Sequence, residues 1–220
     1  AKGMKRKGAV LAALTRLKQV CNHPAHFLSD GSPVLERGRH RSGKIALVED
    51  MLDSILGENE KALLFTQFRE FGELVAPYFA ERFGTDVPFL HGGVSKTKRD
   101  KMVSQFQSDD GPPIMMLSLK AGGTGLNLTA ANHVVHLDRW WNPAVENQAT
   151  DRAFRIGQRK NVQVQKLLCV GTVEERIDSM LSSKQDLADL AVGTGESWVT
   201  EMDTAELREL FRLGDDAVGE

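Results

Sequence analysis

The 220-residue sequence has few of the features that mark membrane, secreted or metal-binding proteins. No apolar run approaches the roughly 20 residues that a membrane-spanning helix needs, and no signal peptide opens the chain, so we expect no membrane partner. The two cysteines, Cys21 and Cys169, form no paired motif, which suits a reducing cytosol. The chain opens on Ala1 without an initiating Met, which we interpret as a fragment of a longer protein.

The sequence contains only an incomplete match to a phosphate-binding loop. Residues 38–45 nearly match the spacing G-x-x-x-x-G-K-[ST], yet Ile45 stands where a hydroxyl must hold magnesium. We therefore predict a loop entering a capped helix, and no nucleotide cradle, which argues against a small-molecule nucleotide enzyme. Cys21, His23 and His26 offer three potential metal ligands but no second pair, so we predict that they pack at a helix end and bind no zinc.

Charge is distributed unevenly along the chain, although the net charge is only −2. Residues 1–44 hold ten Lys or Arg against two acids, whereas residues 174–220 hold thirteen acids against four bases. A basic segment suits a polyanion, because neutralised phosphates release counterions. A solvated helix face beside a basic loop has the same composition, so charge alone leaves both interpretations open.

The sequence does contain an alternation of short apolar runs and amphipathic segments. A helix is predicted over 4–20 and ends before Pro24, a polar loop covers 29–41, and Ser42 caps a helix reaching about residue 56. The next predicted elements are strands at 62–66, 87–91, 114–119, 133–137 and 162–169, and helices at 70–83, 95–106, 144–155, 172–191 and 204–212. A capping box at 172–175 opens the fourth of these helices. The alternation predicts an α/β fold: a mainly parallel sheet with helices on both faces and extra helices at both ends.

The most informative segment lies between residues 116 and 159. A loop with three glycines in four residues follows an apolar strand, and glycines let backbone amides approach an anion closely. A tight loop at a sheet edge uses glycine too. Farther on, Arg152 and Arg155 stand three residues apart and share a helix face. Two such guanidinium groups can stabilise the charge that develops on a transferring phosphoryl group.

These segments, taken in order, resemble one family. Residues 116–158 are similar to motifs five and six of the Swi/Snf family, within the superfamily-two helicases. Residues 62–68 are similar to its motif four, and residues 91–95 with Arg99 to its motif four-a. Two lead-in segments, 17–24 and 42–44, resemble the family as well, so the resemblance covers nearly the whole chain.

One position departs from the family pattern. Phe154 stands where the family often has His or Tyr, but it is uncharged and lies between the two arginines, so their assignment is unaffected. The segment 195–198, before a short acidic helix, resembles bacterial members, for which we expect a cytoplasmic, nucleoid-associated location.

The resemblance implies the second RecA-like lobe of a motor that uses ATP with Mg²⁺ to move on double-stranded DNA. The first lobe of the same longer chain would hold most of the ATP and metal contacts, so this lobe has no implied metal ligand and is expected to be inactive by itself. DNA-bound proteins are further expected partners. The implied site residues are arginine fingers at Arg152 and Arg155, nucleotide or coupling contacts at Gly125, Asn127 and Gln148, and DNA contacts at Thr66, Gln67, Gly92, Gly93, Lys120, Gly122, Gly123, Thr124 and Trp141.

We predict three segments: a helix with a basic loop over 1–41, the lobe over 42–192, and a tail with a short acidic helix over 193–220. The alternative function is a non-catalytic α/β nucleic-acid-binding module with the basic segment as its adhesive. A degenerate lobe of that kind would be expected to lose one finger arginine or the glycine loop, and this sequence keeps both.

Overall fold

The computed structural model describes residues 2–119, 126–140, 142–151, 157–183 and 197–217. In chain order the helices are α1 (Lys2–Asn22), α2 (Pro24–Leu28), α3 (Gly43–Gly57), α4 (Arg69–Phe83), α5 (Lys96–Gln107), α6 (Pro143–Thr150), α7 (Val173–Ser183) and α8 (Thr204–Phe211). The strands are β1 (Leu35–Glu36), β2 (Arg39–His40), β3 (Ala62–Thr66), β4 (Phe89–Leu90), β5 (Ile114–Ser118), β6 (His133–His136) and β7 (Gln163–Lys166). Short 3₁₀ turns cover Ser197–Glu201 and Asp215–Ala217. No described helix combines the length and the apolarity that crossing a membrane requires.

The centre of the fold is a parallel sheet with the strand order β4-β5-β3-β6-β7. In its middle, Ala62 of β3 lies opposite Ile114 of β5 and His133 of β6. Strands β3, β5 and β6 are buried along their whole length, as continuous apolar runs predict for parallel strands covered on both faces. Because the strands run in one direction, the residues that follow them all lie at one side of the sheet, which we call the carboxyl edge.

Helices cover both faces of this sheet. On one face α3 and α4 bury Leu52 and Phe79 against β3, and on the other α5 and α6 bury Phe106 and Ala149. At Gly72 the helix α4 approaches β4 so closely that a methyl group would lie 2.2 Å from the Phe89 ring. The predicted α/β architecture is therefore confirmed.

A third apolar cluster lies outside the sheet and joins the two ends of the chain. Buried side chains of α1, α7, α8 and Ser197–Glu201 form it, Leu14 and Trp198 among them. Lys7 of α1 pairs with Glu201 at 2.5 Å. The basic amino-terminal segment and the acidic tail thus neutralise part of each other's charge. The predicted segment boundaries stay predictions.

A small hairpin occupies part of the segment predicted to be a polar loop. Strands β1 and β2 pair antiparallel, and Arg37 and Gly38 between them have φ values of 50° and 75°. Two consecutive left-handed residues suit a two-residue hairpin turn, because their twist matches that of the strands. Two-residue strands show no alternation of apolar and polar residues, so the sequence pattern did not indicate them.

The capping box predicted at 172–175 is partly displaced. The Thr172 hydroxyl accepts from the Glu174 N–H (3.2 Å), as a capping residue should. Glu175, however, accepts from the N–H of Gly171 (2.7 Å), one residue before the position that a capping box requires. The described part of this helix ends at Ser183, so its predicted continuation to residue 191 lies outside the described residues.

The segment that resembles a phosphate loop serves the fold. Gly38 belongs to the hairpin turn, and the Ser42 hydroxyl caps α3 by accepting from the Ile45 N–H (3.3 Å). Nearby, both ring nitrogens of His23 are engaged, one 3.0 Å from the Val34 carbonyl and the other accepting from the Ala25 N–H (3.0 Å). The predicted cap at Ser42 is confirmed, and His23 ends α1 by packing and hydrogen bonding.

Two histidines are buried against aromatic rings. His26 stacks on Phe71 with ring centroids 5.1 Å apart, and its ring nitrogens have no hydrogen-bond partner. His136 stacks on Phe65 with centroids 5.3 Å apart. Burial disfavours the charged imidazolium and lowers the pKa of each histidine to about 4. Both side chains are therefore neutral in the folded chain at pH 7.

We predict that the free energy of unfolding falls as the pH drops from about 6.5 to about 4. In that range the unfolded chain binds protons that the folded chain excludes, so stability is complete above pH 6.5 and is lost towards pH 4, by up to about 3 kcal/mol per histidine. His26→Phe keeps the ring stacking and should remove about one proton from this dependence. Urea unfolding at several pH values measures it. The same pH dependence in His26→Phe as in the original chain would contradict the assignment.

Candidate functional site

The predicted site residues follow the ends of parallel strands. Gln67 follows β3, Gly92 and Gly93 lie just beyond β4, and Asp138 stands two residues after β6. The glycine loop at 120–125 follows β5 in the sequence but lies outside the described residues. In open α/β sheets ligands bind beyond the carboxyl ends of the strands. The carboxyl edge is therefore the candidate site.

The structure describes six of the predicted site residues. Those described are Thr66, Gln67, Gly92, Gly93, Asn127 and Gln148. Both finger candidates lie outside the described residues, together with most of the glycine loop and the second tryptophan: Lys120, Gly122, Gly123, Thr124, Gly125, Trp141, Arg152 and Arg155. The described residues still define the framework on both sides of these segments.

A buried carboxylate joins three elements at this edge. One oxygen of Asp138 accepts from the Thr66 hydroxyl (2.5 Å) and from the side-chain amide of Asn22 in α1 (3.2 Å). The other accepts from the backbone N–H of Gln67 (2.8 Å). We call these four residues the Asp138 cluster. It holds the ends of β3 and β6 and the end of α1 in one arrangement.

A buried ion pair extends the Asp138 cluster to α3 and α7. The Lys44 ammonium lies 3.0 Å from both carboxylate oxygens of Glu174 and 3.1 Å from the Asn22 side-chain oxygen. Glu174 also accepts from the Cys169 N–H (2.8 Å). Burial alone would lower the pKa of Lys44, but the charges and the hydrogen bond of its neighbours, Glu174 first among them, together outweigh burial and hold that pKa above its usual value. Lys44 is therefore a charged structural residue and is not placed to bind a phosphate.

A second buried lysine fixes Gln67. The side chain of Lys18 is 1% exposed, and its ammonium donates to the Gln67 side-chain oxygen (3.3 Å). The Gln67 amide in turn donates to the Arg139 carbonyl (3.0 Å). Thr66 is fully buried and its hydroxyl faces Asp138. The predicted DNA contact by Thr66 does not fit this position; its side chain supports the edge from inside.

A third ionic group orients the start of α6. Arg139 donates to Glu146 (2.8 Å) and also pairs with Asp178 of α7. Glu146 further accepts from the Trp140 N–H (3.1 Å) and lies 3.0 Å from the ammonium of Lys166. The half-buried Trp140 packs with the apolar cluster on the α5 face. The helix that leads towards Arg152 and Arg155 is thus held by charges from α7 and β7.

The residues just after the predicted fingers contact residues that follow the glycine loop in the sequence. Gly157 has a φ of 108°, a conformation that favours glycine, and a methyl group there would lie 3.9 Å from the Thr129 hydroxyl. The Gln158 amide donates to the Ala131 carbonyl (2.8 Å). The segments that follow the glycine loop and the two arginines therefore lie side by side, as two parts of one site should.

Gly92 and Gly93 form an exposed turn at the same edge. The Gly93 N–H donates to the His91 ring (3.1 Å), and a methyl group on Gly93 would lie 3.4 Å from the Arg69 guanidinium. The turn after β4 thus sits beside the beginning of α4. Both glycines are exposed, which suits the predicted approach of a phosphate.

Comparison with known proteins identifies the fold. Residues 43–157 match the helicase conserved C-terminal domain. The solved Sulfolobus solfataricus SWI2/SNF2 ATPase C-terminal domain is 41% identical with a TM-score of 0.77, over 96% of this chain and 84% of that one. This chain is the carboxy-terminal lobe of a Swi/Snf-type helicase-like ATPase. The RecA-like fold and the family membership predicted from the sequence are confirmed.

Longer relatives contain this lobe as one part. The Sulfolobus SWI2/SNF2 ATPase core in complex with double-stranded DNA is 43% identical with a TM-score of 0.83. The match covers 96% of this chain and 43% of that one. A Bacillus subtilis protein, named as a candidate ATP-dependent helicase/translocase, is 51% identical over 96% of this chain and 22% of its own length. An ATP-dependent helicase of Mycoplasma pneumoniae is 34% identical over 92% of this chain and 19% of its length. The lobe therefore spans about a fifth of these curated relatives.

Two of the predicted nucleotide contacts, and one group of possible metal ligands, lie among the described residues. Asn127 and Gln148 are exposed, so their amides are accessible to a nucleotide. The one described group of three potential metal ligands is Cys21, Cys169 and Glu174. Mg²⁺ prefers oxygen ligands, and the Lys44 ammonium already occupies Glu174. The nucleotide contacts by Asn127 and Gln148 stay predictions.

The Asp138 cluster and the buried pair of Lys44 with Glu174 were not predicted from the sequence. Lys18, Asn22 and Lys44 lie in segments that resemble the family, but no role was inferred for them. Glu174 was interpreted only as part of a capping box. The sequence did contain a signal for the Asp138 cluster. The acidic residue Asp138 follows one apolar strand, and Thr66 and Gln67 stand at the end of the neighbouring strand.

We predict that Asp138→Asn lowers the free energy of unfolding by about 3 kcal/mol. The variant replaces a carboxylate that accepts three hydrogen bonds, and bonds to charged groups contribute about 1.5–3 kcal/mol each. Urea unfolding at pH 7.5 measures the change. The control is Asp53→Asn, which removes an exposed pair with Arg82 (3.0 Å) and should cost at most about 1 kcal/mol. Equal losses in the two variants would contradict the central place of Asp138.

Proposed function

We propose that this lobe is the second half of an ATP-driven motor that moves along double-stranded DNA. The observation that carries the proposal is its likeness, at 43% identity and a TM-score of 0.83, to an ATPase core solved with double-stranded DNA. In the proposal the first lobe of the same longer protein supplies most ligands for ATP and Mg²⁺. The lobe by itself does not hydrolyse ATP, and the motor acts on DNA in the bacterial cytoplasm.

Arg152 and Arg155 are the proposed arginine fingers. They follow α6, and the start of that helix is fixed by the bond between Arg139 and Glu146. Guanidinium groups stabilise the charge that develops on a transferring phosphoryl group only when they are accurately placed. A helix anchored by a buried ion pair supports such placement. Asn127 and Gln148 would contact the nucleotide or couple it to lobe closure.

DNA contacts are proposed for the loops of the carboxyl edge. Gly92 and Gly93 expose their backbone. The loop from Lys120 to Thr124 adds a cation and further glycines, Trp141 would touch the groove or the sugar–phosphate chain, and Gln67 completes the surface. Contacts of backbone and cations with phosphates fix a protein on DNA without reading its sequence. The proposed grip is therefore independent of sequence.

Movement follows from cyclic closure of the two lobes. ATP between them draws them together, and hydrolysis releases them. The Asp138 cluster makes the carboxyl edge and the helices α1, α3 and α7 move as one body, because buried hydrogen-bonded groups resist separate displacement. Closure at the nucleotide therefore displaces the DNA-contacting loops, and unequal grip in the two states gives net steps.

We predict that Arg155→Ala, in a protein that carries both lobes, lowers kcat of DNA-stimulated ATP hydrolysis about 10³-fold or more. The binding of ATP should change by less than about tenfold, roughly 1.4 kcal/mol, because a finger acts mainly on the transition state. Arg155→Lys should not restore the rate, since an ammonium cannot reproduce the planar guanidinium. Steady-state kinetics and nucleotide titration measure the two effects.

The matched control for the finger is Arg159→Ala. Arg159 is exposed and lies beyond Gly157, so this variant should keep most of the activity. Duplex binding should persist in both variants, because the loop at 120–124 is untouched. If Arg155→Ala hydrolyses ATP at the normal rate while Arg159→Ala does not, the finger is assigned to the wrong residue.

A separate prediction concerns the grip on DNA. The 220-residue lobe should bind duplex DNA weakly, without sequence preference, and with an affinity that falls steeply as salt rises, because phosphate contacts release counterions. Fluorescence anisotropy with several duplexes between 50 and 200 mM salt, about the range over which such effects are large, tests this. A preference above about a hundredfold for one sequence exceeds a single base contact of ~1–3 kcal/mol and would favour a sequence-reading binding module.

A further inference from the structure

Most of the basic residues in the amino-terminal segment are engaged within the chain. Lys18 and Lys44 are buried, and Lys7 pairs with Glu201. Arg37 and Arg39 differ, because both are exposed and neither side chain has a hydrogen bond or an ion pair with any described residue. Their positive charges therefore remain available to a ligand outside the chain.

The two arginines belong to a compact basic surface. An open cavity of about 810 Å³ is lined by Arg37, Arg39, His40 and Arg41, and Glu36 is the one acidic side chain among the described residues that line it. Three guanidinium groups within five residues repel one another in the absence of an anion. We call the exposed β1–β2 hairpin, residues 35–40, together with Arg41 the basic hairpin.

The basic hairpin is held rigidly at its base. The Arg41 guanidinium donates to the Ser32 hydroxyl (2.8 Å) and to the Pro33 carbonyl (2.8 Å). Burial is the main cause of a lowered pKa at nearby His23, and the charges of Arg41 and His40 lower it further. This location is thus both ordered and electropositive.

The tip of the hairpin has an unexpected residue. Arg37 has a φ of 50°, a left-handed conformation that glycine and asparagine adopt far more readily than arginine. The conformation costs an arginine about 1 kcal/mol or more. An arginine at this position is therefore unfavourable for the turn itself. We infer that the arginine has a role other than stabilising the fold.

The basic hairpin is also close to the candidate site. His23 lies 3.0 Å from the Val34 carbonyl at the base of the hairpin. His23 directly follows Asn22, whose amide donates to Asp138 at the carboxyl edge. The hairpin is thus joined through two consecutive residues to the cluster that supports the proposed DNA-contacting loops.

We propose that the basic hairpin is an additional binding surface for the phosphates of duplex DNA, separate from the loops of the carboxyl edge. The proposal rests on the proposed function. Guanidinium groups match phosphate oxygens, and duplex DNA carries about one charge per 1.7 Å of its axis, so adjacent arginines can meet adjacent phosphates. The cavity has no Phe, Tyr or Trp among its lining residues, which argues against stacking of a free base. The basic hairpin therefore adds phosphate contacts along the duplex without adding sequence preference.

The test is the double variant Arg37→Gln/Arg39→Gln in the 220-residue chain, whose solved Sulfolobus counterpart is a separate C-terminal domain. Both side chains lack partners, so the fold should be retained, which circular dichroism verifies. Duplex binding by anisotropy, as a function of salt, should show a slope of log affinity against log salt smaller by about 1.8, or 0.9 per lost phosphate contact. The affinity at low salt should fall about tenfold or more.

Two controls separate charge from position. Arg37→Lys/Arg39→Lys keeps both charges and should retain the salt slope. Arg208→Gln/Arg212→Gln removes the same charge from exposed positions at α8 and should leave the slope unchanged. If the original chain binds duplex DNA and Arg37→Gln/Arg39→Gln has the same slope, the hairpin proposal fails by itself. If the original chain does not bind duplex DNA at all, the proposed function fails with it.

Discussion

The buried carboxylate of Asp138 is the constraint on which the rest of the lobe depends. It accepts hydrogen bonds from the end of β3, from the residue after it and from α1. Through Asn22 the same group reaches the Lys44–Glu174 pair. Buried ions gain little net stability over apolar packing, but a partner left alone is costly. A network of this kind therefore selects one arrangement of sheet and helices more than it adds to stability.

This selection matters for the proposed function, in which the lobe acts as a rigid part of a two-lobe motor. Its catalytic contribution, as proposed, consists of positioning alone, since the nucleotide is held mainly by another lobe. A guanidinium displaced by about 1 Å loses much of its effect on a transition state. Arg139 pairs with both Glu146 and Asp178 at the start of α6. These ion pairs restrict the movement of the helix that precedes the proposed fingers.

Sequence patterns predicted the sheet well, and for a clear reason. Continuous apolar runs such as 62–66 can be buried on both faces only as inner parallel strands, and Ser42 is a residue that caps helices. The resemblance assigned predicted site residues to segments that follow those strands, and these assignments stay predictions. Patterns do not show which distant polar residues meet, so Lys18 and Lys44 looked like ordinary surface lysines, and Thr66 looked available to DNA although it is fully buried. The two-residue strands of the hairpin are too short to leave a pattern.

The order of the strands has a consequence for how the lobe behaves at high concentration. Strands β4 and β7 form the two borders of the sheet, and each leaves one row of backbone groups without a neighbouring strand. Such borders invite pairing between molecules and aggregation. Here β4 is only two residues long, while β7 reads Gln163, Val164, Gln165 and Lys166 and is largely exposed. Because β4 is short and β7 carries polar side chains with a lysine, both borders are poor sites for pairing with the sheet of a second molecule.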